Sequence, residues 1–214
     1  MRPPDRSLQV SSLLLFAAAT LLAAGPADPY RIHPGRFDTK KAEHPPRPGP
    51  VRYVLNEVVV AVQYLEPADR AAFVASISAG LRDPFAVAPG RPERYHAFRI
   101  TFENRSSADL VFQPGHAFVV TDRGERAFPI DLTDLYLVAS RGGLPDPEAA
   151  MNRIAPVIYD SSVEIPAGAG ESRMLVFGAF PDKWREFRLT LGFVEIGSEP
   201  HSLSFPFHRH AKKG

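Results

Sequence analysis

Phe98-Arg99-Ile100-Thr101-Phe102-Glu103-Asn104-Arg105-Ser106-Ser107 is the stretch that decides how this chain folds. Apolar Phe98, Ile100 and Phe102 alternate with polar Arg99, Thr101 and Glu103. That period of two marks a strand with one face on a core and one toward water. Asn104 to Ser107 then turn the chain, since short polar side chains satisfy local backbone groups and end a ladder.

The same grammar spreads in both directions. Upstream, Val58, Val60, Val62 and Tyr64 alternate with Val59, Ala61 and Gln63, so the strand starting near Leu55 is apolar on both sides and reads as buried on both faces. Glu66-Pro67-Ala68-Asp69-Arg70 follows, with Pro at a first helical position and acids at the positive end of the dipole. Phe73, Ile77 and Leu81 continue at spacings of four, which predicts a helix over about 67–79.

Downstream, Leu110–Phe112 and Ala117–Thr121 read as strands, Asp122 to Glu125 as a hairpin turn, and Ala127–Ile130 as an edge strand because of Pro129. Residues 139–148 interrupt the sheet. A short helix over Pro147–Ile154, capped by Asp146, follows, and the insertion over 139–156 reads either as a functional loop or as a cover over a sheet edge or an open end of the core. Val163–Ile165, Met174–Phe177, Phe187–Phe193 and Ser202–Phe207 return to strand patterns. Seven or eight short strands without βαβ alternation predict an all-β, immunoglobulin-like antiparallel β-sandwich with one or two short helices in insertions.

The N-terminus has another character. Arg2 and Arg6 precede the uncharged run Leu13–Ala24, and Gly25-Pro26-Ala27 supplies small residues for cleavage. This is the layout of a signal peptide over 1–27, so the expected location is the periplasm or the exterior. The apolar run is shorter than the roughly 20 residues a membrane-spanning helix needs, so no integral membrane span is expected after cleavage. Pro29, Pro34, Pro45, Pro46, Pro48 and Pro50 give residues 28–52 the composition of a flexible linker. The domain is then expected over 53–207, with a polar tail over 208–214.

Charge and cysteine content exclude several chemistries. Removing Arg2, Arg6 and Asp5 from the 25 basic and 24 acidic residues leaves a formally neutral chain, which gives no general attraction to nucleic acid. With no cysteine, there is no disulfide, no thiolate metal site, no cysteine nucleophile and no lipid-modified cysteine.

Phe98–Ser106 resembles the strand and N-x-S turn of exported bacterial immunoglobulin-like domains, as does Val119–Gly124. Ile165-Pro166-Ala167-Gly168 followed by Met174-Leu175-Val176-Phe177 is similar to their I-P-x-G … L-x-F pattern. The likeness spans roughly 53–207 and implies a telokin-like or related sandwich of a family without assigned activity or catalytic residues. The absence of a cysteine pair, and the loop position of Trp184, depart from the antibody pattern.

Candidate chemistry is sparse. There is no G-x-S-x-G elbow and no H-E-x-x-H pair, although a hydrolytic set assembled from distant residues would leave no motif. Asp131, Asp134 and Asp160 either form turns or meet as carboxylates. His208 and His210 are spaced to share one face of an extended segment, and His201 precedes them, so His201, His208 and His210 are the candidate metal ligands. The leading expectation is an exported, non-enzymatic interaction module without a cofactor, its partner another envelope protein; the alternatives are a histidine-based metal binder and a hydrolase.

Overall fold

A computed structural model describes residues 30–34, 42–43, 49–88, 91–141, 146–180 and 184–211. The expected export signal lies outside the described residues, as does most of the stretch over 28–48.

Two antiparallel sheets share one core. In chain order the described strands are β1 (Tyr30–Pro34), β2 (Ala42–Glu43), β3 (Val51–Leu55), β4 (Val58–Leu65), β5 (Tyr95–Asn104), β6 (Leu110–Phe112), β7 (Ala117–Thr121), β8 (Arg126–Ala127), β9 (Val163–Ile165), β10 (Gly170–Gly178), β11 (Glu186–Ile196) and β12 (Glu199–Ala211). The first sheet runs β10-β5-β4-β3-β2. The second is built on β11, which pairs β12 along one edge, and β7 and then β6 along the other. β1 extends it beyond β12, β8 beyond β7 and β9 beyond β6.

The opening alternation is realised in β5. Phe98, Ile100 and Phe102 are fully buried, and Arg99, Thr101 and Glu103 are half-buried on the other face. The shared core is strongly aromatic. Phe98 packs edge-on against Phe177 and Phe187, and Phe187 stacks on Phe207 at 5.1 Å between centroids. Trp184, although outside the strands, is buried against Phe180 and Phe187.

Among the described residues three short helices accompany the sheets, where the sequence reading expects one or two: α1 (Pro67–Ile77), α2 (Leu132–Arg141), which it does not foresee, and α3 (Pro147–Ile154). The α3 cap is as the sequence reading expects, with the Asp146 carboxylate accepting from the Ala149 amide at 3.0 Å. The α1 stripe is rotated from its expected position. Arg70, Phe73 and Val74 are buried, while Ile77 is exposed. Arg70 takes the inward place because its charge is fully engaged there. It donates to the Asp83 carboxylate at 2.7 Å and to the Phe85 and Tyr95 carbonyls at 3.0 and 3.3 Å.

These helices and the 83–95 loop cover part of the outer face of the first sheet. Leu65, Ala97, Met174 and Val176 from the sheet pack there against Phe73, Val74, Phe85, Leu135 and Ile154. The 129–159 region also closes the edge of β10. The Ile130 amide donates to the Val176 carbonyl and the Tyr159 amide to the Met174 carbonyl, both at 2.8 Å. Pro129, lacking an N–H, sits on this edge opposite Phe177.

Two boundaries differ from the sequence reading. β1, β2 and the first two residues of β3 fall in the stretch read as a linker, and β12 runs to Ala211, into the stretch read as a tail. Proline composition concealed β1, an outermost strand, where a missing N–H is tolerated.

Candidate functional site

Among the described residues the outer face of the second sheet is open, and its composition follows from strand parity. Along β11, Phe187, Leu189 and Leu191 point inward and Arg188 and Thr190 outward. Along β12, Leu203, Phe205 and Phe207 point inward and Ser202 and Ser204 outward. Phe118 and Val120 of β7 complete the outward set. Short hydroxyl side chains form a low floor between the taller Phe118 and Arg188, leaving a groove of about 590 Å³. The Thr190 and Ser204 hydroxyls lie 3.3 Å apart, and the Arg126 guanidinium sits over the Phe118 ring at 5.6 Å. Asp122 and Glu186 bring carboxylates to one end. Such a surface offers hydrogen bonds, a modest apolar wall and charges of both signs.

One wall of the groove is a sheet edge. The Arg209 amide donates to the Arg185 carbonyl, so odd-numbered backbone groups of β12 face β11. Even-numbered groups face the other way, where β1 pairs with positions 207–211. Among the described residues, no strand pairs with that edge over 199–206. Its N–H donors are those of Ser202 and Ser204, bracketed by Pro200 and Pro206, which have none.

The candidate metal ligands are not gathered as grouped. His201 stands opposite Val194 on the core side of β12, and its Nε2 is buried with no hydrogen-bond partner among the described residues. His208 stands opposite Glu186 on the outer side, its Nδ1 3.1 Å from the Glu186 carboxylate. Seven strand positions separate the two, roughly 23 Å at the strand rise, on opposite faces. His210 shares the His208 side by parity, and its side chain lies outside the described residues. Among the described residues, no group of three His, Cys, Asp or Glu side chains is placed to hold a metal ion.

The aspartates act locally. Asp131 accepts from the Asp134 amide at 2.9 Å at the start of α2, and Asp160 accepts from the Ser161 hydroxyl. Asn104, the turn residue of the N-x-S stretch, is buried and fully bonded. Its amide group donates to the Ala108 and Ile165 carbonyls, both at 2.9 Å, and its oxygen accepts from the Ser106 hydroxyl at 2.7 Å. The N-x-S and I-P-x-G motifs therefore touch each other, and their shared task is to fasten β5 to β9.

Two buried titratable groups lie in the aromatic core. His96 stacks on Phe180 at 4.1 Å, and its Nδ1 is 3.0 Å from the Tyr64 hydroxyl. Burial, with smaller contributions from Arg209 and Arg70, lowers its pKa from 6.5 to about 4. Burial, and after it the Glu171 carboxylate, pushes the Tyr159 phenol well above its ordinary value.

No family model and no curated protein matches this chain. Among solved structures, the crystal structure of the yjhA protein from Bacillus subtilis is similar at a TM-score of 0.35 and 10% identity, covering 66% of this chain and 76% of that one. A sheet edge is a place the sequence reading expects for a partner, but neither the groove nor the identity of the open edge is legible without the fold. The alternation Ser202-Leu203-Ser204-Phe205 carried their signal, since small hydroxyl residues on an outward face leave a hollow. Among the described residues, no helix is long and apolar enough to cross a membrane.

Proposed function

We propose that this chain is an exported, non-enzymatic interaction module of the cell envelope, built as an immunoglobulin-like, telokin-like sandwich. It binds an extended segment of another envelope protein on the outer face of the β7–β11–β12 sheet. The observation that carries the reading is the groove of about 590 Å³ with a β12 edge as its wall that no described strand pairs over 199–206. An extended peptide gains main-chain hydrogen bonds at such an edge and side-chain contacts in the hollow beside it. Pro200 and Pro206 confine the addition to a short strand, which favours a selected partner over open-ended association.

A photo-reactive amino acid placed at Ser204, and separately at the exposed Val54 on the other sheet, tests this in intact cells. The expected result is one envelope protein captured from Ser204 and not from Val54. Capture from neither site, or equally from both, overturns it. The export part is read from the mass of the purified protein: a chain beginning at Asp28 is expected, and a cytoplasmic chain retaining Met1 refutes it.

A further inference from the structure

We infer that the extended segment taken by the groove carries an acidic side chain, a glutamate or an aspartate, that pairs with Arg188 of the groove floor. This rests on the interaction reading above and names the chemistry of its partner. Arg126 of β8, Val120 of β7, Arg188 of β11 and Pro206 of β12 stand opposite one another in a single row across four strands. Phe118, Thr190 and Ser204 form the next row.

The charges of this face are unequally met. At one end the carboxylates have partners: Glu186 lies 3.1 Å from the His208 Nδ1, and Asp122 accepts from the Arg185 amide at 3.2 Å. Arg188 is exposed and, among the described residues, has no hydrogen bond, ion pair or ring contact. Arg126 sits over the Phe118 ring and meets no carboxylate among the described residues. The unmet charge of the groove is therefore positive. A guanidinium offers only donors, in a fork that matches a carboxylate. The Thr190 and Ser204 hydroxyls, one row away, bond each other at 3.3 Å and leave a further donor for the same group.

The reach suits a strand added at the β12 edge. Such a strand lies two strand spacings from β11, about 9.5 Å. Pro206 and Ser204 stand between them and are short, so the Arg188 and acidic side chains meet above them. A lysine or arginine of a partner at that position would face Arg188 and Arg126 together, which rejects it.

Selection of peptides on the purified full chain tests the pairing. The probe is a library of random octapeptides joined at both ends to a carrier protein, so that no chain-terminal carboxylate is offered. The expected result is enrichment of Glu or Asp at one fixed position, and its exchange for Lys or Arg when the selection is repeated on Arg188→Glu. With one synthetic peptide from the parent selection, Arg188→Ala and a Glu→Gln change in the peptide should each weaken binding about tenfold. Combined, they should weaken it no further than either alone. Arg52→Ala, an exposed arginine on the other sheet, should leave binding unchanged. Peptides enriched without an acid, and lost on Ser204→Trp, keep the groove as a binding site and overturn the pairing. Acidic peptides that still bind the Ser204→Trp chain place the acid elsewhere and overturn it too, and no enrichment at all overturns both readings. If an Arg188 variant melts earlier than the parent, the Glu→Gln peptide decides the matter with the chain untouched.

Discussion

The two sheets have the same strand alternation and opposite outer faces. In the first, residues pointing away from the shared core include Leu65, Ala97, Met174 and Val176, and they lie under α1 and the α2–α3 insertion. In the second, the equivalent positions are Arg188, Thr190, Ser202 and Ser204, and they line an open groove. The edges differ likewise. That of β10 is closed by backbone bonds from Ile130 and Tyr159, while that of β12 is unpaired over 199–206 among the described residues. A sheet roofed on its second face contributes stability there; one left bare contributes contact surface. Substitutions in the first sheet and its roof are therefore expected to act on folding, and those on the open face on binding.

The largest expected effect is in the core that both sheets share. Phe98 is fully buried and touches Tyr64, Phe177, Phe187 and Phe207. Phe98→Ala should lower stability by about 4 kcal/mol through lost burial and the cavity left behind, measured as a drop in urea midpoint. Next comes the roof. Arg70→Ala leaves Asp83, 5% exposed, without its 2.7 Å partner and should cost about 3 kcal/mol. Arg70 also pairs with Glu93 at 3.5 Å, 10% exposed, so the triple change Arg70→Met, Asp83→Leu and Glu93→Gln, which removes all three charges, should recover most of that loss. If the triple variant is as unstable as Arg70→Ala, the roof depends on the hydrogen bonds to the Phe85 and Tyr95 carbonyls instead.

These differences were unequally legible in the chain. The alternation of Phe98 to Glu103 signals a half-open strand, and the two-sided run of Val58 to Leu65 one whose outer face is buried at Val59 and Leu65 and half-buried at Ala61 and Gln63, since burial selects residue type face by face. Asp146 and Pro129 signalled a cap and an edge through one backbone atom each. Arg70 gave no such signal. An arginine on a helix ordinarily faces water, and only the return of Asp83, Phe85 and Tyr95 around it makes burial favourable. The pairing of His33 with His208 was equally hidden, because register between distant strands is set by the whole sheet and not by local pattern. The histidines were visible as candidates, but that His201 and His208 point to opposite faces of β12 follows only once the inward residues of that strand are known.

His96 makes the core shared by both sheets sensitive to pH. Its pKa is about 4 in the folded chain and 6.5 when unfolded. Between those values the unfolded chain binds a proton that the folded chain refuses, so stability falls as pH drops through this window. Going from pH 7 to pH 5 should cost about 2 kcal/mol from this group. Thermal melting at the two pH values should show that loss in the parent and a smaller one in His96→Leu. An unchanged pH dependence in His96→Leu would place the acid sensitivity elsewhere.

The smallest expected effect is the one that most sharpens the contrast. Ser204→Ala and Thr190→Val remove hydroxyls that bond each other on the open face, and neither leaves a buried group unsatisfied. Their stability should stay within about 0.5 kcal/mol of the parent. Adding bulk there is a different matter. Ser204→Trp fills the groove without entering the core, so folding should be preserved while capture of a partner from this face is lost. A Ser204→Trp chain that melts like the parent and still captures the same partner would show that the groove is bare for want of a roof and has no part in recognition.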